Sequence, residues 1–372
     1  MTHVPKRTIR RTPCTGLFRS IGSCLIAVIL LSTPACTPAD SAIDVEPPPE
    51  SPPPPATIGL DDASMEGAFA EAAEIPRLRT LLVARHGEIM AELHVSGPPP
   101  DVPVNIKSVS KSVISALVGI AIDEGHLSGA GQPIAPFFEE YLDPELDRTK
   151  RRITIGHLLS MQSGLERTSG DNYGPWVTSS NWVRYAITAD VVAEPGGRRL
   201  YSTGNSHLIS AILTQATGES TWSFARSRLA DPLGISLSPW LADPQGIYFG
   251  GNDMLMSPRA MVRFGELYRN EGRLEGKQIV PAWWVRDSLS PKTRARRPGE
   301  GYGYSWFLSQ ARGHDMFYAW GYGGQFIFVI PDLELTVVST ADTNVSRGGS
   351  HLRNIREILE DWIVPAAEVG AA

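Results

Sequence analysis

The stretch Ile106–Glu124, IKSVSKSVISALVGIAIDE, governs how the rest of the chain is read. Val109, Val113, Ala116, Leu117, Ile120 and Ala121 recur at helical spacing, which predicts a largely buried helix. Its first turn carries Ser108, and Lys111 follows one turn later on the same face. A serine at a helix start is ordinarily a cap for the first free N–H groups. With a lysine one turn on, it also fits a nucleophile and its proton acceptor. The chain has six lysines, and Lys111 alone has a serine three residues before it. Taken by itself, the pair leaves both readings open.

The composition narrows the function classes. The 372 residues are 42% hydrophobic and 20% charged, ordinary material for one large or two interlocked globular domains. With 34 basic against 40 acidic residues, nucleic-acid binding has no electrostatic support. The charge is unevenly placed: residues 1–35 hold Lys6, Arg7, Arg10, Arg11 and Arg19 and no acid, so the net −6 divides into +5 there and −11 on the remainder. The apolar run Ile21–Leu31 behind those basic residues is short for a membrane span and ends in small residues, as an export signal does. Residues 1–35 are therefore expected to be an export signal and 36–57 a linker, with the proline-rich spacer Glu46–Ala56 extended and semi-rigid. Cys14, Cys24 and Cys36 all lie in or at the end of the leader, so the body at 58–372 has no thiolate nucleophile, thiolate metal site or disulfide.

Along the body, a helix is expected from near Leu60 through Ala73, then a hairpin of Thr80–Arg85 and Glu88–Val95 across His86-Gly87. Segments between about 112 and 290 read as helices, including Ile153–Met161, Asn205–Thr217 stopped by Gly218, and Met256–Asn270. Strand signals return at Tyr302–Leu308, Met316–Trp320, Gln325–Ile330 and Leu335–Thr340, before a last helix His351–Trp362. The pattern predicts an α/β (α+β) fold: one antiparallel sheet built from both ends (about 78–105 and 300–345) around an inserted helical region.

A serine acyl-transfer site needs a base, a proton donor for the leaving group and two donors for the oxyanion. No G-x-S-x-G elbow is present, which disfavours an α/β-hydrolase, and no H-E-x-x-H, which disfavours a zinc hydrolase. His126, His157 and His207 sit in helical contexts where a structural role outweighs metal ligation. Tyr201 stands in a turn just before a helix, in Tyr201-Ser202-Thr203-Gly204-Asn205, as either a pocket phenol or a packing tyrosine. Trp320-Gly321-Tyr322-Gly323-Gly324-Gln325 runs into a strand, where glycines permit close approach of a substrate and one N–H can serve an oxyanion.

In this order the pieces resemble the β-lactamase-related serine hydrolases: class C β-lactamases, D-Ala-D-Ala peptidases, family VIII carboxylesterases and 6-aminohexanoate-dimer hydrolases. The resemblance runs from about Leu78 to Trp362 and includes Ile153–Leu165 (ITIGHLLSMQSGL), Glu194–Gly197, Asp231–Ile235, Gly250–Met254 and Leu274–Pro281. The wording of Tyr173–Trp182 and Trp240–Gly251 looks closest to the aminohexanoate-dimer hydrolase and esterase side. It implies a β-lactamase/transpeptidase-like fold and a cofactor-free, metal-free site. It implies Ser108 as nucleophile, Lys111 as general base and Tyr201 as proton carrier, with the N–H groups of Ser108 and Gln325 holding the oxyanion. Tyr322, Gly323, Gly324 and Asn205 are implied to border the substrate, and Tyr173 and Trp176 are candidate pocket walls or core aromatics. The small residue before Cys36 resembles a lipoprotein cleavage site, which implies a lipid anchor at Cys36 on an exported protein of the bacterial cell envelope.

Two departures shape the expected substrate. Class C β-lactamases carry Tyr-x-Asn, where Thr203 stands third here, and Lys-Thr-Gly, where Tyr322-Gly323-Gly324 stands here. That lysine is linked to holding the carboxylate of a β-lactam or peptide. A small-molecule carboxylester or amide is therefore expected ahead of a penicillin. The alternatives are a D-Ala-D-Ala peptidase or weak β-lactamase, and a non-catalytic envelope binding protein of the same fold.

Overall fold

A computed structural model describes residues 59–295, 297, 299–344 and 350–369. The expected export signal, Cys36 and the proline-rich linker lie outside the described residues.

Helix α1 (Asp62–Ala73) opens the described body, capped by Asp61, whose carboxylate accepts from Ser64 N at 2.8 Å. The hairpin follows as β1 (Leu78–Arg85) and β2 (Glu88–His94). After the inserted helical region come β3 (Thr293–Arg294), β4 (Gly301–Tyr302), β5 (Phe307–Ala311), β6 (His314–Gly321), β7 (Gln325–Ile330) and β8 (Leu335–Ala341). They form one eight-stranded sheet in the order β2-β1-β8-β7-β6-β5-β4-β3. The N-terminal strand β1 pairs antiparallel with the C-terminal strand β8, Leu82 opposite Val338, so both ends of the body build the same sheet.

Alternation along these strands explains why they are apolar on both faces. Leu81, Val83, Phe326, Phe328 and Val337 face a core shared with α1 and the C-terminal helix α5 (Ser350–Ile358). Leu82, Ala84, Ile327, Val329 and Val338 face the opposite core, with α2 (Ser110–Asp123) and α4 (Pro258–Arg269). Each such fully buried aliphatic side chain contributes roughly 1.5–3 kcal/mol, so both faces of the sheet add to stability.

The structure departs from the expected elements in three places. The strand expected over Tyr302–Leu308 is two strands, β4 and β5, because Ser305 takes φ 67° and the chain turns between them. Val104–Asn105 leaves the sheet and pairs instead with Leu255–Met256. The segment from Ile106 begins as a tight 3-10 turn at Lys107–Val109, and α2 starts only at Ser110.

Candidate active site

Ser108 lies in that 3-10 turn and caps neither the turn nor α2. The residue before it, Lys107, is held at φ 51°, a left-handed conformation that needs outside support. Support comes from Asn105, whose side-chain oxygen accepts from Lys107 N at 2.9 Å, and from Asp253, 3.3 Å from Lys107 Nζ.

Lys111 is buried in α2, 1% exposed. Its Nζ lies 2.9 Å from Ser108 Oγ and donates to Gly251 O at 2.6 Å. No carboxylate pairs with it among the described residues, and burial alone pulls its pKa from the ordinary 10.5 down to about 7. Near neutral pH a substantial fraction of the amine is therefore uncharged, within hydrogen-bond reach of the serine hydroxyl. The space around it is full: a Cβ on Gly251 would stand 3.0 Å from Lys111 Nζ and 2.9 Å from Thr203 Cγ2.

Tyr201 precedes α3 (Thr203–Thr217). The first turn of α3 is capped from outside, with Thr203 N donating to Ser169 Oγ at 2.9 Å and Gly204 N to Thr168 Oγ1 at 2.7 Å. Ser202, at the cap position, instead accepts from Thr168 N. These bonds fix the Tyr201 backbone. The Tyr201 ring lies 5.2 Å from Lys111 Nζ. Burial raises its pKa, while the Ser108 hydroxyl and the Arg199 charge draw it back down.

The turn at Tyr322-Gly323-Gly324 joins β6 to β7 and is fastened on several sides. His351 Nε2 donates to Gly323 O at 3.0 Å, Ser339 Oγ donates to Gly324 O at 3.0 Å, and the Gln325 side-chain amide donates to Ala341 O at 2.8 Å. Just before the turn, a Cβ on Gly321 would meet Ile106 O at 2.4 Å. Glycine at 321 thus lets β6 press against the backbone leading into Ser108, bringing the Gln325 strand entry to the nucleophile.

The remaining candidates divide. Tyr322 is exposed at the tip of the turn, and Tyr173 is half-buried with its hydroxyl accepting from Asn252, next to Gly251, at 2.8 Å. Trp176 is a core residue and forms no pocket wall: it is fully buried, its indole N–H donates to Trp182 O, and its ring contacts Trp182, His207 and Phe249. Asn205 is also interior, accepting from Ser163 Oγ at 3.1 Å, because two residues of helix turn it about 200° away from the face on which Thr203 stands beside Gly251. Gly251, whose carbonyl holds the lysine, and His351, which holds the Gly323 carbonyl, carry no sequence signal of such contacts beyond a Gly-Gly pair and a helix start.

A cavity of about 380 Å³ lined by Glu166, Arg167, Ser169, Asp171, Asn172, Val192, Arg198 and Leu200 adjoins the Tyr201 segment. A larger one, about 620 Å³, lies around Glu300 and Arg356 and includes none of the residues Ser108, Lys111 and Tyr201.

Ser108, the buried Lys111 and Tyr201 come together beside the turn that joins two interior strands of the antiparallel sheet, in a β-lactamase/transpeptidase-like fold. The chain belongs to the beta-lactamase family, whose sequence profile matches residues 66–360. The 6-aminohexanoate-dimer hydrolase of Paenarthrobacter ureafaciens is 24% identical over 240 residues, and the match spans 59% of this chain and 59% of that protein's length. EstCE1, a hydrolase with promiscuous acyltransferase activity, superposes with TM-score 0.67 at 18% identity over 80% of this chain and 98% of its own. The class C beta lactamase of Rhodobacter sphaeroides superposes with TM-score 0.60 at 15% identity, covering 79% and 96% of the two chains.

Proposed function

We propose that the chain hydrolyses a carboxylester or small amide through an acyl-enzyme on Ser108. The observation that carries this reading is the buried Lys111 amine, 2.9 Å from Ser108 Oγ and titrating near neutrality. Lys111 takes the Ser108 proton as Oγ attacks the carbonyl carbon, becoming an ammonium that Gly251 O accepts from. The N–H groups of Ser108 and Gln325 hold the oxyanion. Tyr201 gives its proton to the departing alcohol or amine and is left as a phenolate. That phenolate takes a proton from water, the hydroxide attacks the acyl carbon, and Lys111 returns its proton to Ser108 Oγ. Every group ends in its starting state.

The Tyr322-Gly323-Gly324 turn brings no cation to the place where a β-lactam carboxylate would be held, which supports esters and small amides over penicillins. The leader composition supports export with lipidation at Cys36; palmitate incorporation that survives Cys36→Ala would refute the anchor.

A fluorophosphonate probe is expected to label the protein at Ser108, and Ser108→Ala to lose both labelling and hydrolysis. Unlabelled protein with no ester or amide turnover would favour the binding-protein alternative. Rapid nitrocefin cleavage without esterase activity would favour the β-lactamase alternative.

A further inference from the structure

Arg199 stands two residues before Tyr201, with its guanidinium among three aromatic rings. Its Cζ is 4.4 Å from the ring centre of Tyr302, 5.3 Å from that of Tyr201 and 5.5 Å from that of Phe307. Its Nε is buried with no hydrogen-bond partner. Arg152 pairs with Glu194 and Arg356 with Glu300, whereas no carboxylate pairs with Arg199 among the described residues. A guanidinium does not lose its proton, so this is a permanent charge set against three ring faces.

The other groups that face Tyr201 differ in kind. Lys111 carries a charge that comes and goes as it takes and returns the Ser108 proton, and Ser108 contributes a hydroxyl. Tyr302, with its ring 6.5 Å away, is buried and its phenol is pushed far above the ordinary range, so it stays neutral. Arg199 is the fixed positive charge on the tyrosine.

We propose that Arg199 is a positioning residue for the proton transfer: it fixes the Tyr201 ring, and its charge stabilises the phenolate left when Tyr201 protonates the leaving group. The inference rests on the role proposed above for Tyr201. In that step the Tyr201 O–H bond breaks and a new O–H bond forms on the leaving oxygen as its bond to the acyl carbon breaks. The electron pair left on the Tyr201 oxygen is the charge that Arg199 faces, and Arg199 keeps all its protons. The benefit therefore scales with how much the leaving group needs that proton.

The test compares kcat/KM for an ethyl ester and a p-nitrophenyl ester of the same acid, since nitrophenolate departs without being protonated. Arg199→Met is expected to lower kcat/KM for the ethyl ester about ten-fold, the equivalent of one pKa unit of charge interaction, and the p-nitrophenyl value well under three-fold. Arg199→Lys is expected to recover most of the loss, and Arg199→Gln carries the same expectation as Met should the Met variant not fold. Equal losses on both esters, or a Lys variant no better than Met, would overturn the assignment while leaving Ser108 acylation intact. A parent protein that releases no nitrophenol would instead overturn the acyl-enzyme reading itself.

Discussion

Replacing Lys111 by Met should destroy activity and at the same time make the protein more stable. The native pKa of about 7 lies about 3.5 units below the ordinary 10.5, and at about 1.36 kcal/mol per unit that is roughly 5 kcal/mol. The sign follows from proton counts. Between those two values the unfolded chain binds a proton that the native protein does not, so stability rises with pH across the window. The burden is fully present below about pH 7 and disappears above about 10.5. A methionine of similar length fills the same space without it. The lost bond to Gly251 O takes back about 1–2 kcal/mol, leaving a net gain of about 3 kcal/mol at pH 7. At pH 9 the burden has fallen to about 2 kcal/mol and the gain should be close to nil. Urea unfolding followed by fluorescence, with nine tryptophans as reporters, measures both values. A variant less stable than the parent at pH 7, or a gain independent of pH, would refute the claim that burial alone sets this amine's pKa.

Three further outcomes are expected. With Lys111 as base, kcat/KM for a p-nitrophenyl ester should rise about ten-fold per pH unit below 7 and level off above about 8; a flat profile from pH 5.5 to 9 would exclude the lysine. Gly251→Ala places a methyl 3.0 Å from Lys111 Nζ and 2.9 Å from Thr203 Cγ2, so thermal unfolding should show a loss of about 1–3 kcal/mol and acylation should slow markedly; wild-type burst rates would mean the carbonyl does not position the amine. His351→Ala removes the donor to Gly323 O and should lower kcat about ten-fold with KM little changed, since a loosened turn would displace the Gln325 N–H proposed to hold the oxyanion; a change confined to KM would contradict this.

Much of the fold was legible because its signals are local and repetitive. The hairpin, β7 and the Gly218 stop of α3 follow from alternation and turn residues, and β7 falls on Gln325–Ile330 as expected. The split of β4 from β5 was hidden, since a lone serine is a weak turn signal and the turn is fastened by Ser305 N donating to both Gly303 O and the distant Leu159 O. Trp176 and Tyr173 lie three residues apart in aromatic surroundings, and nothing in the one-dimensional pattern says which is enclosed. Only packing against His207 and Phe249 separates the core residue from the half-buried one.

The sequence by itself determined that a lysine follows a serine by three residues at the entry to a buried helix, and whether that entry winds as a 3-10 or an α turn, i and i+3 fall on one face. It also supplied a tyrosine before a helix and a glycine turn before a strand. What that lysine is chemically was decided by the tertiary structure. Its lowered pKa depends on side chains from distant parts of the chain excluding water, with no carboxylate beside it among the described residues and with Gly251 O, 140 positions away, as its hydrogen-bond acceptor. Desolvation comes from the whole surrounding shell, and no stretch of sequence carries it alone.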